Sequence, residues 1–220
     1  MSRPTRRQIV AGAAALAATG SHPASRESRV APSGFDLDAF IEDTKRARNE
    51  GDGQRAVEEV LARAVSDPAA VLLELGEPRK AGIQPLYHAP DLTILNVVWA
   101  PLMILLPHDH RMWATIGIYG GREDNILWER DGTLVEAARA SSLSVKEVFS
   151  LSADAIHSVA NPIERLTGAI HIYGGDFFAV PRSEWDAETL RERPFDLAGA
   201  LRTFEEANRR FEAGRTHESR

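Results

Sequence analysis

Residues 102–119 read LMILLPHDHRMWATIGIY, and the fold is best predicted by starting from this stretch. Two short runs rich in β-branched and aromatic residues flank His108-Asp109-His110, a composition typical of β-strands. Alternate residues of a strand point to the same face, so His108 and His110 would aim two imidazoles at one point while Asp109 faces away. The stretch therefore predicts paired strands that carry part of a metal site.

Two imidazoles do not complete a metal site, so a third ligand must come from another part of the chain. The chain has no cysteine, and any metal must therefore be held by nitrogen or oxygen ligands. His157, in the segment DAIHSVAN at residues 154–161, is the best candidate and lies about 47 residues beyond His110. The alternative is that His157 is an ordinary hydrogen-bonded histidine of the core.

The region around this stretch predicts a mainly β fold. Short segments with strand composition, bounded by Gly, Pro, Asn and Asp, occur at 83–88, 92–100, 102–107, 113–119, 125–130, 134–140, 146–151, 157–160 and 167–173. Evenly spaced short strands favour a jelly-roll or double-stranded β-helix barrel. We expect a barrel over residues 81–182, preceded by a helical segment over 26–80 and followed by a C-terminal helical extension over 183–220.

The helices are predicted from apolar spacing and from residues that favour helix ends. Asp36 or Asp38 can cap a first helix that runs to Arg48. A second helix over 54–65 has one apolar face, formed by Val57, Val60, Leu61 and Val65. Pro68 can open a third helix through Leu75, since proline suits the first helical turn.

Charge and the N-terminal segment limit the partners and the location of the protein. The net charge is −6, and residues 1–25 contain three arginines and no acidic residue, so the remainder is more acidic still. An acidic body argues against a nucleic-acid partner. Thr5-Arg6-Arg7-Gln8 followed by an apolar run too short to span a membrane resembles a twin-arginine export signal, which predicts a periplasmic protein. A disordered leader on a cytoplasmic protein is the alternative, and both a monomer and a homodimer stay open.

Three further residues have chemistry that suits a site beside the histidines. His171 and Tyr173 form a second i, i+2 pair on a predicted strand, where a phenol and an imidazole can share a proton. Arg182 follows that strand and could hold a substrate carboxylate with two parallel hydrogen bonds. The alternatives are an inward tyrosine with a satisfied hydroxyl, and a surface arginine that is free or paired with Asp186.

The histidine motifs resemble those of the cupin superfamily. His108-Asp109-His110 and Gly121 fit the first cupin motif, whereas Ala114 and Thr115 occupy the place of its glutamate. His157 and Asn161 fit the second motif, in which Ser152 and Asp154 replace a proline and a glycine. A three-histidine site without a carboxylate resembles the thiol dioxygenases, namely cysteine dioxygenase and 3-mercaptopropionate dioxygenase. The resemblance covers about residues 87–182.

This resemblance implies a non-haem Fe(II) enzyme that uses O2 to oxidise a small thiol to its sulfinic acid. His171 and Tyr173 match the last two members of the family's Ser-x-His-x-Tyr relay, with Ala169 in place of the serine. Arg182 lies nine residues after Tyr173, as does the carboxylate-binding arginine of the 3-mercaptopropionate branch. Three alternatives stay open: a three-histidine zinc hydrolase or lyase, a nickel site, and a non-catalytic cupin that only binds a ligand.

Overall fold

The computed structural model describes residues 34–218, and the predicted export segment at residues 1–25 lies outside that range. Three short helices come first, at Leu37–Arg48 (α1), Gly53–Val65 (α2) and Pro68–Leu75 (α3). The side chains of Asp36, Asp52 and Asp67 each accept a hydrogen bond from a backbone N–H in the first turn of one helix. The three helices that were predicted from caps and apolar spacing are thus confirmed.

Eleven strands follow, and every neighbouring pair within the described residues is antiparallel. They run Gly82–Ala89 (β1), Leu92–Trp99 (β2), Ile104–Asp109 (β3), Ala114–Gly120 (β4), Arg122–Asp131 (β5), Leu134–Ser144 (β6), Val148–Leu151 (β7), Ile156–Ala160 (β8), Thr167–Tyr173 (β9), Ser183–Trp185 (β10) and Glu192–Pro194 (β11). A last helix, α4, spans Leu197–Glu218. No helix within residues 34–218 is both long and apolar enough to cross a membrane.

The strands form two sheets, in the orders β1-β2-β9-β4-β7 and β11-β10-β3-β8-β5-β6. Strands that are adjacent in space come from distant parts of the chain, as in a double-stranded β-helix. The predicted fold class, a mainly β barrel with N-terminal helices and a C-terminal helix, is confirmed. One detail is corrected: residues 183–194, which were expected to be helical, contain the strands β10 and β11.

The first sheet is covered on both faces, and its side chains alternate between the barrel interior and the outer core. All eight residues of β2 are buried. Leu95, Val97 and Trp99 belong to the core inside the barrel, whereas Leu92 and Ile94 pack with the N-terminal helices on the outer face. Strand β9 alternates in the same way, and it therefore turns His171 and Tyr173 toward the interior.

Helix α2 approaches the outer face of this sheet closely because glycine occupies position 117. A Cβ atom at Gly117 would lie 2.8 Å from Cγ of Leu61, which is fully buried. A larger residue would force the helix away from β4 and open a gap in the outer core.

Candidate metal centre

Strands β3 and β8 bring the three predicted ligands together. His108 pairs with His157 in the β3/β8 ladder, and His110 follows the end of β3. A register shift between Leu105 and His108 re-aims this end of β3. The two strands are immediate neighbours, so the third ligand comes from the adjacent strand rather than from across the barrel.

The three histidines have the geometry of a ligand set. All are buried, and one nitrogen atom from each lies within 4.8 Å of the other two. The Nε2 atoms of His157 and His110 are 3.3 Å apart. In two of the rings the Nδ1 atom is hydrogen-bonded to an oxygen atom. Nδ1 of His108 donates to the Leu106 carbonyl at 2.8 Å, and Nδ1 of His157 donates to Oδ1 of Asn125 at 2.7 Å. Their Nε2 atoms are therefore free to bind a cation.

Burial keeps these imidazoles uncharged. It lowers the pKa of His108 to about 4, and it lowers the pKa values of His110 and His157 well below the usual 6.5. Two unprotonated Nε2 atoms that face each other at 3.3 Å repel unless a proton or a cation lies between them. The donor set thus fits a divalent metal ion such as Fe, Zn, Cu or Ni, all of which imidazole suits.

These pKa shifts predict that the metal-free protein loses stability in mild acid. The unfolded chain binds protons near the ordinary histidine pKa of 6.5, whereas folded His108 does so only near pH 4. The unfolded state therefore takes up more protons between these values, and the free energy of unfolding falls by a few kcal/mol, roughly 1.4 per pKa unit, as the pH drops from about 6.5 to 4. Urea midpoints at pH 7 and pH 4.5 test this. His108→Gln should lose part of the dependence, and a midpoint that does not fall in acid would contradict it.

Asp109 faces away from the two histidines, as predicted, but it is also buried. Its Oδ1 accepts a hydrogen bond from the Ser183 N–H at 2.7 Å, and its Oδ2 lies 2.6 Å from Nε of Arg111. Arg111 also lies within 3.7 Å of Glu192 and has a positive φ of 57°. Arg111 thus links the end of β3 to β11, because it forms ion pairs with Asp109 and with Glu192.

His171 and Tyr173 lie in the same interior. Nδ1 of His171 is 3.1 Å from the Tyr173 hydroxyl, and the tyrosine ring packs edge-on against His110 with centroids 5.0 Å apart. Burial raises the pKa of Tyr173 well above its usual value of 10, so the phenol keeps its proton. The structure therefore brings this pair beside the three clustered histidines.

Arg182 is not a surface arginine. Only 8% of it is exposed, and its guanidinium lies between the rings of Phe177 and Phe195, with its central carbon 4.0 and 4.2 Å from their centroids. Its Nη1 has no hydrogen-bond partner. Burial lowers its pKa, but a guanidinium remains charged in proteins. The alternative of a pair with Asp186 is not seen; that carboxylate lies 3.6 Å from Arg193.

A small cavity adjoins the three histidines. It has a volume of about 30 Å³, is lined by the three histidines, His171 and Tyr173, and is otherwise apolar. Phe195 together with Leu197, Ala200 and Phe204 of α4 closes one side. A larger groove of about 700 Å³, lined in part by Trp128 and Arg139, contains no histidine.

Two further residues, which were not predicted as site residues, contact these histidines. Glu123 and Asn125 lie two apart on β5, are fully buried, and contact each other at 3.0 Å. Asn125 holds His157 through Nδ1, and Glu123 lies 3.4 Å from Nε2 of His171. The signal was a polar i, i+2 pair at the start of a strand, but that strand was predicted to begin only at Asn125.

No family model matches the chain. Among solved structures it resembles an RmlC-like cupin with a double-stranded β-helix fold from Methanocaldococcus jannaschii, with a TM-score of 0.40, 9% identity, and coverage of 47% of this chain and 87% of that one. It also resembles a cupin superfamily protein from Desulfitobacterium hafniense, with a TM-score of 0.38 and 15% identity. That match covers 46% of this chain and 85% of the other.

A mutant oxalate decarboxylase from Bacillus subtilis gives a TM-score of 0.38 and 13% identity over 47% of this chain. The match spans only 28% of the decarboxylase.

Proposed function

We propose that this protein is a non-haem iron dioxygenase that oxidises a small, carboxylate-bearing thiol to its sulfinic acid. The observation that carries the proposal is the composition of the ligand cluster: within the described residues it contains three buried imidazoles and no carboxylate. Most mononuclear iron oxygenases use two histidines and one carboxylate. The proposed substrate class rests on the resemblance of these motifs to thiol dioxygenases and on the residues beside them.

Iron(II) would be held by His108, His110 and His157, and it would supply the redox chemistry that a thiolate and dioxygen require. In the overall reaction both atoms of O2 become bonded to sulfur, and the four electrons that sulfur loses reduce the dioxygen. The protein contributes the alignment of the two reactants and a site from which water is excluded. The apolar lining of the cavity serves the second purpose.

Tyr173 is suited to donate a proton in this cavity. It retains its proton because burial raises its pKa, and it lies 3.1 Å from His171. The phenol can direct its O–H to His171 or, by rotation about the C–O bond, to an oxygen atom of a bound reactant. His171 would thus hold the hydroxyl in place until a reactant competes for it.

Arg182 is suited to bind the carboxylate of the substrate. A buried cation with a free N–H is costly without an anion, and a carboxylate matches the planar guanidinium. The two phenylalanine rings fix its orientation. The cavity of about 30 Å³ is small, and we expect side chains such as Phe195 to move when a thiol binds.

Metal analysis and oxygen uptake test the proposed function together. Protein purified without added metal should contain iron, and after iron loading it should consume O2 with 3-mercaptopropionate or cysteine and produce the sulfinic acid. Zinc in place of iron, with no thiol-dependent O2 uptake, would reject the dioxygenase and favour a zinc hydrolase, since three histidines and one water also form a catalytic zinc site.

Tyr173→Phe removes the hydroxyl and keeps the ring that packs on His110. We expect kcat with the thiol to fall about 100-fold, the usual contribution of a positioned proton donor, while iron affinity stays unchanged. Tyr119→Phe is the matched control, because that hydroxyl donates to Asn96 on the outer side of the sheet. Equal kcat values for the two variants would remove Tyr173 from the mechanism.

A further inference from the structure

Glu123 is a fully buried carboxylate that the proposed reaction does not use. Its Oε2 accepts a hydrogen bond from Nε1 of Trp99 at 2.8 Å, and its Oε1 accepts one from Nδ2 of Asn125 at 3.0 Å. Its Oε2 also lies 3.4 Å from Nε2 of His171. A buried carboxyl group is costly unless polar groups face it, and here two hydrogen-bond donors and one imidazole of the barrel interior do so.

One branch of these contacts leads to a metal ligand. Because Asn125 donates its amide N–H to Glu123, its amide oxygen must point the other way, toward His157. That oxygen accepts from Nδ1 of His157 at 2.7 Å, which places the proton on Nδ1 and leaves Nε2 bare. The carboxylate therefore selects the amide orientation, and the amide selects the tautomer that can bind a cation.

The other branch leads to Tyr173. Nε2 of His171 has no hydrogen-bond partner, and the nearby carboxylate favours a proton on that nitrogen. Nδ1 is then an acceptor for the Tyr173 hydroxyl at 3.1 Å. Ala169 of β9 has no hydroxyl, and the carboxyl group next to His171 belongs to Glu123 of β5.

We propose that Glu123 is a positioning residue that sets the tautomers of both His157 and His171, and thereby couples the metal centre to the Tyr173 hydroxyl. The inference deepens the proposed function and shares its metal site, but it concerns ring nitrogens that can be observed without metal, thiol or dioxygen. A single side chain thus aligns one ligand and one proton donor on two different strands.

Glu123→Gln tests this, because it keeps the shape and replaces one acceptor oxygen by an NH2 group. Glutamine cannot accept from both Trp99 and Asn125, so one of these contacts becomes donor against donor. Nitrogen-15 NMR of the metal-free variant should show a changed tautomer on the branch that the NH2 group faces. His171 loses its Nε2–H tautomer if the NH2 group faces Trp99, and His157 becomes a mixture of tautomers if it faces Asn125. In the second case calorimetric titration with Co²⁺ should also show an affinity lower by about 10- to 100-fold, the usual effect of losing a partner behind a ligand.

Two further variants separate the branches. Asn125→Ala should lower Co²⁺ affinity and change the tautomer of His157, but leave that of His171 as in the wild type. Glu129→Gln, an exposed glutamate on the same strand, is the control and should change neither. If Glu123→Gln does not fold, Glu123→Asp, which keeps the charge and withdraws it by one methylene, is measured in the same way.

Wild-type tautomers and Co²⁺ affinity in a folded Glu123 variant would overturn the inference. Its fate is separable from that of the dioxygenase proposal. Tautomer changes in a protein that never consumes O2 would support the role of Glu123 and reject the thiol chemistry. An active enzyme whose Glu123 variants keep both tautomers would do the reverse.

Discussion

His108→Ala should abolish tight binding of a divalent metal ion and, with it, any thiol-dependent oxygen uptake. His108 lies in the β3/β8 ladder directly opposite His157, and its ring centroid is 4.7 Å from that of His157 and 5.0 Å from that of His110. Its removal leaves two nitrogen ligands, so we expect affinity for Co²⁺ to fall by more than the roughly 10- to 100-fold that loss of an outer partner costs. Calorimetric titration and metal analysis measure the effect.

His88→Ala is the matched control for this experiment. His88 is half exposed, contacts Asp176 at 2.8 Å, and takes no part in the cluster. It should bind Co²⁺ as the wild type does. Unchanged binding in a folded His108→Ala protein would reject the metal site and the dioxygenase and zinc proposals together, and would favour the alternative of a β-barrel that binds a ligand without metal.

Arg182→Met should lower kcat/KM for 3-mercaptopropionate by roughly 10- to 100-fold while leaving the value for cysteamine, a thiol without a carboxylate, nearly unchanged. A hydrogen-bonded charged contact contributes about 1.5–3 kcal/mol, and about 1.4 kcal/mol corresponds to tenfold. Methionine retains an unbranched apolar chain between Phe177 and Phe195, so the aromatic packing is preserved. Steady-state oxygen uptake with both thiols gives the comparison.

Arg193→Met serves as the control, because Arg193 is half exposed and its partners are Glu184 and Asp186 rather than the cavity. It should leave both thiols unaffected. Equal losses for the two thiols in Arg182→Met would show that the guanidinium supports the packing around Phe177 and Phe195 and does not recognise a carboxylate.

The sequence was sufficient for the fold class and for the ligand cluster. Asp36 and Pro68 mark the starts of α1 and α3 within a few residues, and that information is local. The His-x-His spacing and the position of His157 in a predicted strand pointed to a cluster of three histidines because strand alternation restricts which side chains can meet. The positions of His171 and Tyr173 followed from the same alternation.

The features that the sequence did not predict depend on which strands become neighbours in the folded protein. Glu123 is next to His171 only because the interior faces of β5 and β9 look toward each other, and no spacing within either strand reveals this. Strands β10 and β11 have three residues each, too few for a periodic pattern. The burial of Arg182 likewise depends on tertiary packing, because its guanidinium lies between the rings of Phe177 and Phe195.

The placement of Trp99 gives the protein an intrinsic optical reporter. The indole donates to Glu123, its ring lies 6.1 Å from that of His171, and it stacks on Phe204 of α4 with centroids 5.3 Å apart. One fluorophore therefore touches the carboxylate behind the proton donor and the helix that covers the cavity. In a variant that keeps Trp99 and replaces the other three tryptophans, its emission would register metal uptake and displacement of that helix without any attached dye.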